Sequence, residues 1–188
     1  MKIHKTSLVG KSLDDFLDIC DIHNVDSYRA EQIFNWIYKN KINDFESFKN
    51  IPKSFLNLLK EQHIIHPLIF VRSTKSDSRL TNKFLFKTQS GALIESVLMN
   101  EGSRTTLCLS TQVGCALDCK FCATAKMGFI DNLDSGEIVD QFLLISKMLS
   151  KPITNVVFMG MGEPFLNYSN VIKSAKLLHD PDGINLGY

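Results

Sequence analysis

The sequence predicts an α/β protein in which a small helical module and an antiparallel β segment precede the start of a parallel β/α unit. Three observations carry this prediction. Apolar residues recur at helical spacing between residues 12 and 62, the period becomes strand-like from Leu68 to Ser110, and a strand, loop, helix order then occurs twice before the end.

In the first segment the apolar sets are Phe16, Leu17 and Ile19, then Ile33, Phe34, Trp36 and Ile37, then Phe55, Leu56, Leu58 and Leu59. Ser12 and Ser54 have the residue type of N-caps, Pro52 suits the opening of the last helix, and Pro67 falls in the connection after it. The module is expected to span 1–67, with the remainder, 68–188, as a second unit. Strands are expected at Ile69 to Arg72, Lys83 to Lys87, Leu93 to Met99 and Thr105 to Leu109. Gln89-Ser90-Gly91 marks a hairpin between the second and third. Asp134-Ser135-Gly136-Glu137 reads as a capping box, after which Ile138, Val139, Phe142, Ile145 and Leu149 define an inward helix face. Asn155 to Met159 reads as a buried strand, and Asn167 to His179 as a helix with Val171, Ile172, Ala175 and Leu178 inward.

Of the 188 residues, 44% are apolar and 22% charged, with 21 Lys or Arg against 20 Asp or Glu. This is globular composition and excludes disordered and fibrous classes. Residues 1–100 carry 14 basic and 11 acidic side chains and 101–188 carry 7 and 9, so the halves are +3 and −2. The longest apolar runs fall short of the ~20 residues that cross a bilayer. The start, Met1-Lys2-Ile3-His4-Lys5, lacks an apolar signal region, and a cytoplasmic protein without a membrane is expected.

Five cysteines stand at 20, 108, 115, 119 and 122. An odd count with three thiols in eight residues does not suit a secreted disulfide framework. Cys115, Cys119 and Cys122 form a C-x3-C-x2-C spacing in a loop between a strand and a helix. Structural zinc takes four ligands, and here the fourth would have to come from a distance. A 4Fe–4S cluster held by three thiolates leaves one iron open to an outside ligand. Further on, Met159-Gly160-Met161-Gly162-Glu163-Pro164 follows the second predicted strand, where parallel strands end and ligands gather. Glycine there lets backbone approach a ligand closely.

Several segments occur in order: Tyr28 to Tyr38 (Tyr-Arg-Ala-Glu-Gln-Ile-Phe-Asn-Trp-Ile-Tyr), Gly91 to Val97, Thr106 to Cys115, Gly128-Phe129 and Met159 to Pro164. With Phe121 just before the last cysteine, they resemble the RlmN/Cfr family of radical S-adenosylmethionine (SAM) RNA methyltransferases. Pro164 and the Tyr28 segment are more similar to the RlmN branch than to the Cfr branch, which methylates adenosine C8. The resemblance implies the start of a partial (βα)6 barrel, one 4Fe–4S cluster on Cys115, Cys119 and Cys122, and SAM beside Gly162 and Glu163. It implies methylation of adenosine C2 in 23S rRNA and in some tRNAs. It further implies an electron donor such as flavodoxin and a monomer in the full-length form.

In that family a cysteine near the C-terminus carries the methyl group, a carbon radical joins it to the base, and the adduct is released by proton removal and disulfide formation. The resemblance places Cys108 as the resolving thiol and Glu95 as the proton acceptor. From the residues alone Cys108 reads as a core thiol and Glu95 as an outward strand residue. A carboxylate in an apolar strand would have its charged form disfavoured, suiting it to act as a base. Cys20 has no matching role and is expected to be structural.

Arg72, Lys75, Arg79, Lys83 and Lys87 oppose a single Asp77 within sixteen residues, which suits either RNA phosphates or a solvated surface. Tyr28, Phe34 and Trp36 have the residue types that stack on bases, although helical spacing favours core for Phe34 and Trp36. The chain ends at Tyr188 after two strand–helix units and no cysteine follows Cys122. A truncated chain is therefore expected, with an open sheet edge after Asn155 to Met159 and low solubility. Two other readings remain: a non-catalytic RNA-binding fragment with zinc on its cysteines, and a radical SAM protein of other chemistry.

Overall fold

The computed structural model describes residues 5–78 and 80–187; Arg79 of the basic run, residues 1–4 and Tyr188 lie outside the described residues. The chain opens with β1 (Thr6–Ser7), followed by α1 (Leu13–Ile22), α2 (Tyr28–Phe34) continued by a π-helical turn, and α3 (Lys53–Gln62). It then returns in β2 (His63–Ile64), which pairs parallel to β1. Ser12 caps α1 in a full capping box with Asp15. Ser54 does not cap α3. Pro52 occupies the cap position, its fixed φ of −56° starting the turn, and Ser54 falls inside the helix. Phe16, Ile33, Phe34, Phe55 and Leu59 are buried, while Leu17 and Leu58, one position off each stripe, are exposed. Trp36 is half-buried, its Nε1 donating to the Lys49 carbonyl, and Tyr28 is exposed under the Arg29 guanidinium.

The second part builds a five-stranded sheet from β3 (Ile69–Lys75), β4 (Thr81–Lys87), β5 (Leu93–Glu101), β6 (Arg104–Cys108) and, after two short strands β7 (Gln112–Gly114) and β8 (Phe129–Asn132), β9 (Asn155–Val157). Strands β3 to β6 form an antiparallel meander, and β9 pairs parallel to β6 through Leu107 and Val156. The crossover between them is α4 (Ser135–Lys147), capped by Asp134 with Glu137 reaching back. Its face of Ile138, Val139, Phe142 and Ile145 covers the sheet side that carries Phe84, Phe86, Ile94 and Leu98. Helix α5 (Tyr168–His179) follows β9 and packs beside α4.

Two burial expectations change. Strand β9 ends at Val157 rather than Met159 and is half-buried, because only β6 flanks it; Met159 is 78% exposed. On α5, Leu177 joins Val171 and Leu178 in the core while Ile172 turns outward, since α5 rests on α4 along a stripe that runs through Ser174. Strand β3, on the other free edge, is exposed along its whole length.

The apolar core runs without a break from the helical module into the sheet–helix layer. Gly10, at φ +95°, lies against Gly136 so closely that a Cβ on it would sit 2.4 Å from the Gly136 nitrogen. Tyr38, fully buried, accepts from the Gly10 N–H and donates to the Lys11 carbonyl. Among the described residues no helix is long and apolar enough to cross a membrane.

Candidate active site

The parallel pair β6 and β9 brings two loops to one end of the sheet. After β6 the chain continues through Leu109 to Gln112 into the cysteine loop; after β9 it continues into Met159 to Pro164. Backbone bonds run between them: Gly160 N–H to the Leu109 carbonyl at 3.0 Å, Thr111 and Gln112 N–H to the Met161 carbonyl at 2.8 and 3.1 Å. Ser110 sits at the centre. Its hydroxyl donates to the Glu95 carbonyl at 2.5 Å and accepts from the Met161 N–H at 2.9 Å. Gln141, pointing inward from α4, accepts from the Ser96 hydroxyl and the Ser110 N–H and donates to the Ser110 carbonyl. Every member of this buried network is satisfied, which fixes both loop bases.

The glycines of the second loop are spatial requirements. A Cβ on Gly160 would lie 2.7 Å from the Leu109 carbonyl oxygen, and Gly162, at φ +97°, would place one 2.5 Å from Gln112 Cβ. Gln112 Oε1 accepts from the Glu163 N–H at 2.8 Å, and the Glu163 carboxylate accepts from the Phe165 N–H at 3.0 Å, opening the 3-10 turn Pro164–Asn167. One face of this loop therefore rests on the cysteine-loop base, with Glu163 half-buried at its rim.

The cysteine loop is cinched by β7 and β8, with Cys115 N–H bonded to the Gly128 carbonyl at 3.1 Å. Beyond that neck it is open: Cys115 and Cys122 are half-buried, Cys119 is exposed, and Phe121 is 94% exposed. The spacing gathers the thiols into one loop, but among the described residues no three metal-ligating side chains close on one point; the backbone turn alone, Cys122 N–H to the Cys119 carbonyl, does not aim the sulfurs together. The donor chemistry still fits an iron–sulfur cluster. Cys115 Sγ accepts from the Leu117 N–H at 3.4 Å. Backbone N–H groups of Ala125 and Thr124 hold the Cys122 thiol below its ordinary range, the direction that favours thiolate ligation.

On the sheet face away from α4, Cys108 stands opposite Val97, and Glu95 lies two residues before Val97 on the same side of β5. The two are thus diagonal neighbours, ~7–8 Å apart by sheet geometry. Cys108 is buried, and burial pushes its thiol up against the lowering effect of a Met159 backbone hydrogen bond. Glu95 is not in the apolar setting expected. Its side chain is 40% exposed, and Oε1 is 3.0 Å from Lys83 Nζ, because cross-strand neighbours on this face are charged as well as aliphatic. Cys20 is buried in the helical module, away from these groups.

Residues 6–65 match the family described as the ribosomal RNA large subunit methyltransferase N-terminal domain. Over 181 residues the chain is 42% identical to the probable dual-specificity RNA methyltransferase RlmN of Clostridium novyi, covering 96% of this chain and 53% of that protein. The Aquifex aeolicus protein of the same name is 44% identical over 163 residues, 86% of this chain and 46% of its own. A solved radical SAM methyltransferase from Sphaerobacter thermophilus superposes with a TM-score of 0.90 at 38% identity, covering 97% of this chain and 54% of that one. The chain spans about half the length of the curated relatives it matches. Sequence and fold agree in their likeness to RlmN methyltransferases over nearly the whole of this chain and about half of each relative.

Proposed function

We propose that this chain forms the cofactor-binding part of a radical SAM methyltransferase that modifies the C2 carbon of adenosine in 23S rRNA and in some tRNAs. In this reading Cys115, Cys119 and Cys122 hold one 4Fe–4S cluster, and Gly162 and Glu163 border SAM. The observation that carries it is the stitching of the cysteine loop to the Met159–Pro164 loop through Ser110, Met161 and Gln112 at one end of β6 and β9. Two separate segments that a cluster and its ligand would need side by side share one rigid base.

When bound, the cluster and SAM supply the radical chemistry that an electron-poor ring carbon requires. The chain's own residues have other tasks. Gly162 lets the backbone pass beside the ligand, and the Glu163 carboxylate, one oxygen of which accepts from the Phe165 N–H, would accept from an ammonium group of the ligand. Glu95 would take the C2 proton, and the buried Cys108 thiol would attack the sulfur of a methyl-carrying cysteine supplied from outside this chain, forming a disulfide as the carbon–sulfur bond to the base breaks and the electron pair passes to the methylated product. Residues 1–67 serve as an RNA-binding accessory unit, and an electron donor such as flavodoxin meets the exposed cysteine loop.

The test is anaerobic iron, sulfide and zinc analysis of the reconstituted chain beside a Cys115→Ala, Cys119→Ala, Cys122→Ala variant. About four irons and four sulfides per chain, lost in the variant, are expected. Zinc without sulfide would replace this reading with a non-catalytic zinc-binding module, and no metal in either protein would overturn it.

A further inference from the structure

Asn167 ends the 3-10 turn that follows the Met159–Pro164 loop and stands immediately before α5. Asparagine is favoured at such a position because its oxygen can accept from a free N–H of the helix's first turn. Asn167 makes no bond of that kind. Its side chain is buried and points the other way, into the root of the cysteine loop. Nδ2 donates to the Thr111 carbonyl at 2.8 Å and to the Leu133 carbonyl at 2.7 Å, while Oδ1 accepts from Asn170 Nδ2 at 2.8 Å. Carbonyl oxygens only accept, so the amide nitrogen must face the pair, and Asn170 holds it in that sense.

Those two carbonyls are the entry and the exit of the cysteine loop. Thr111 is the last residue before β7 and Leu133 the first after β8, and the Leu133 N–H also bonds to the Thr111 carbonyl at 3.1 Å. Thr111 N–H in turn bonds to the Met161 carbonyl at 2.8 Å. One amide group thus joins three stretches of chain: both ends of the cysteine loop and the end of the Met159–Pro164 loop. One step further out Gln112 repeats the arrangement, its Nε2 donating to Asn132 Oδ1 at 2.7 Å while its Oε1 accepts from the Glu163 N–H. Beyond this root the cysteine loop is open, with Cys119 and Phe121 exposed. The placement of the thiols relative to Glu163 is therefore decided at the root.

We propose that Asn167 is a positioning residue, whose amide holds the cysteine loop and the Met159–Pro164 loop at one separation so that a cluster on the first and a ligand on the second stand side by side. The proposal rests on the reading of these loops as cluster site and SAM site, and it adds the side chain that sets their spacing. A residue needed only to start α5 could be replaced by Asp, which caps a helix as well as Asn does. A residue that joins the loops could not. The isosteric carboxylate has no N–H to give, and it sets its charge against two carbonyl oxygens in a buried place.

The experiment compares the intact 188-residue chain with Asn167→Asp and Asn170→Ala. The second variant leaves Asn167 in place, removes only the group that orients it, and puts a better helix former into α5, so it gives an answer even if Asn167→Asp does not fold. Amide hydrogen exchange, read by mass spectrometry on the metal-free chain, is the first measurement. In Asn167→Asp, exchange is expected to quicken about tenfold, the loss of one or two buried hydrogen bonds, at 111–114 and 133 and at 160–163 together, with β4 and β5 unchanged. Asn170→Ala should shift the same segments by less. The second measurement is the electron paramagnetic resonance of the reconstituted, reduced chain titrated with SAM. Iron and sulfide in Asn167→Asp are expected to match the unmodified chain, while the SAM concentration at half-change rises about tenfold. Unchanged exchange in both variants, a change confined to 164–170, an equal rise in every element, or an unshifted SAM titration would each overturn the proposal. An unmodified chain that takes up no iron would overturn the cluster reading instead, and the exchange data would still decide whether Asn167 joins the two loops.

Discussion

His66 and Asp140 join the helical module to α4: His66 Nδ1 lies 2.5 Å from Asp140 Oδ1, and His66 Nε2 lies 2.9 Å from the Ile42 carbonyl. Asp140 is fully buried, and its second oxygen accepts from the Leu68 N–H at 3.0 Å. A carbonyl on one ring nitrogen and a carboxylate on the other are both served only by the imidazolium. Burial alone would push the His66 imidazolium down, but the Asp140 hydrogen bond and charge together outweigh it, and the net direction is up.

A group raised above its ordinary value of ~6.5 contributes its stability fully below that pH and loses it as pH rises through the folded value. The thermal midpoint of the chain is therefore expected to fall between mildly acidic and alkaline buffer, and His66→Gln to flatten that dependence. Asp140→Ala, which strands the partner in a buried site, is expected to cost about 3–5 kcal/mol by urea unfolding. A midpoint that rises with pH, or a pH dependence undiminished in His66→Gln, would refute the assignment; a smaller dependence of the same sign remains from Glu137, which burial raises to about 7.

Gly162→Ala meets two obstacles at once, a φ of +97° and a Cβ 2.5 Å from that of Gln112. A loss of about 1–3 kcal/mol in unfolding free energy is expected. Reduced SAM binding should accompany it, because Gln112 would have to release the Glu163 N–H. Gly187→Ala, with open space where its Cβ would go, serves as the neutral comparison. Equal stability of the two variants would contradict the tight contact.

Cys122 and Cys108 differ in setting. The first is lowered by the Ala125 and Thr124 backbone groups, and the second is raised by burial, as is Cys20. Alkylation near neutral pH follows the thiolate fraction and access, so iodoacetamide should modify Cys122 about tenfold or more faster than Cys108. Peptide mass spectrometry at short times reads the order. Cys108 reacting first would show that its burial does not hold in solution.

The elements that sequence pattern made legible are those with strong local causes. The Ser12 and Asp134 capping boxes, the Gln89-Ser90-Gly91 turn and the inward face of α4 each depend on residues within a few positions. The candidate site was legible as two loops, because the cysteine spacing and the Gly-Met-Gly-Glu-Pro run lie in continuous sequence. What joins them was not. Ser110, Gln112 and Gln141 act across more than thirty positions, and only the polar Gln141 among inward apolar residues of α4 gave a sequence signal. The Lys83 partner of Glu95 was hidden for the same reason: it depends on the register of β4 against β5. The misread burial at Met159 and Ile172 reflects which neighbours a strand or helix has, which local periodicity does not encode.

The parallel pair β1 and β2 joins positions 57 apart in sequence, as the Thr6–His63 side-chain contact does, and Ser135 Oγ reaches the Gly10 carbonyl from 125 positions away. Such contacts are rewarded only after the intervening chain has been drawn together. During synthesis, then, residues 6–9 can pair once 63–65 have been made, but Gly10 cannot reach Ser135 and Gly136 until α4 has followed. The seating of Gly10 against Gly136 therefore belongs to a late moment of assembly.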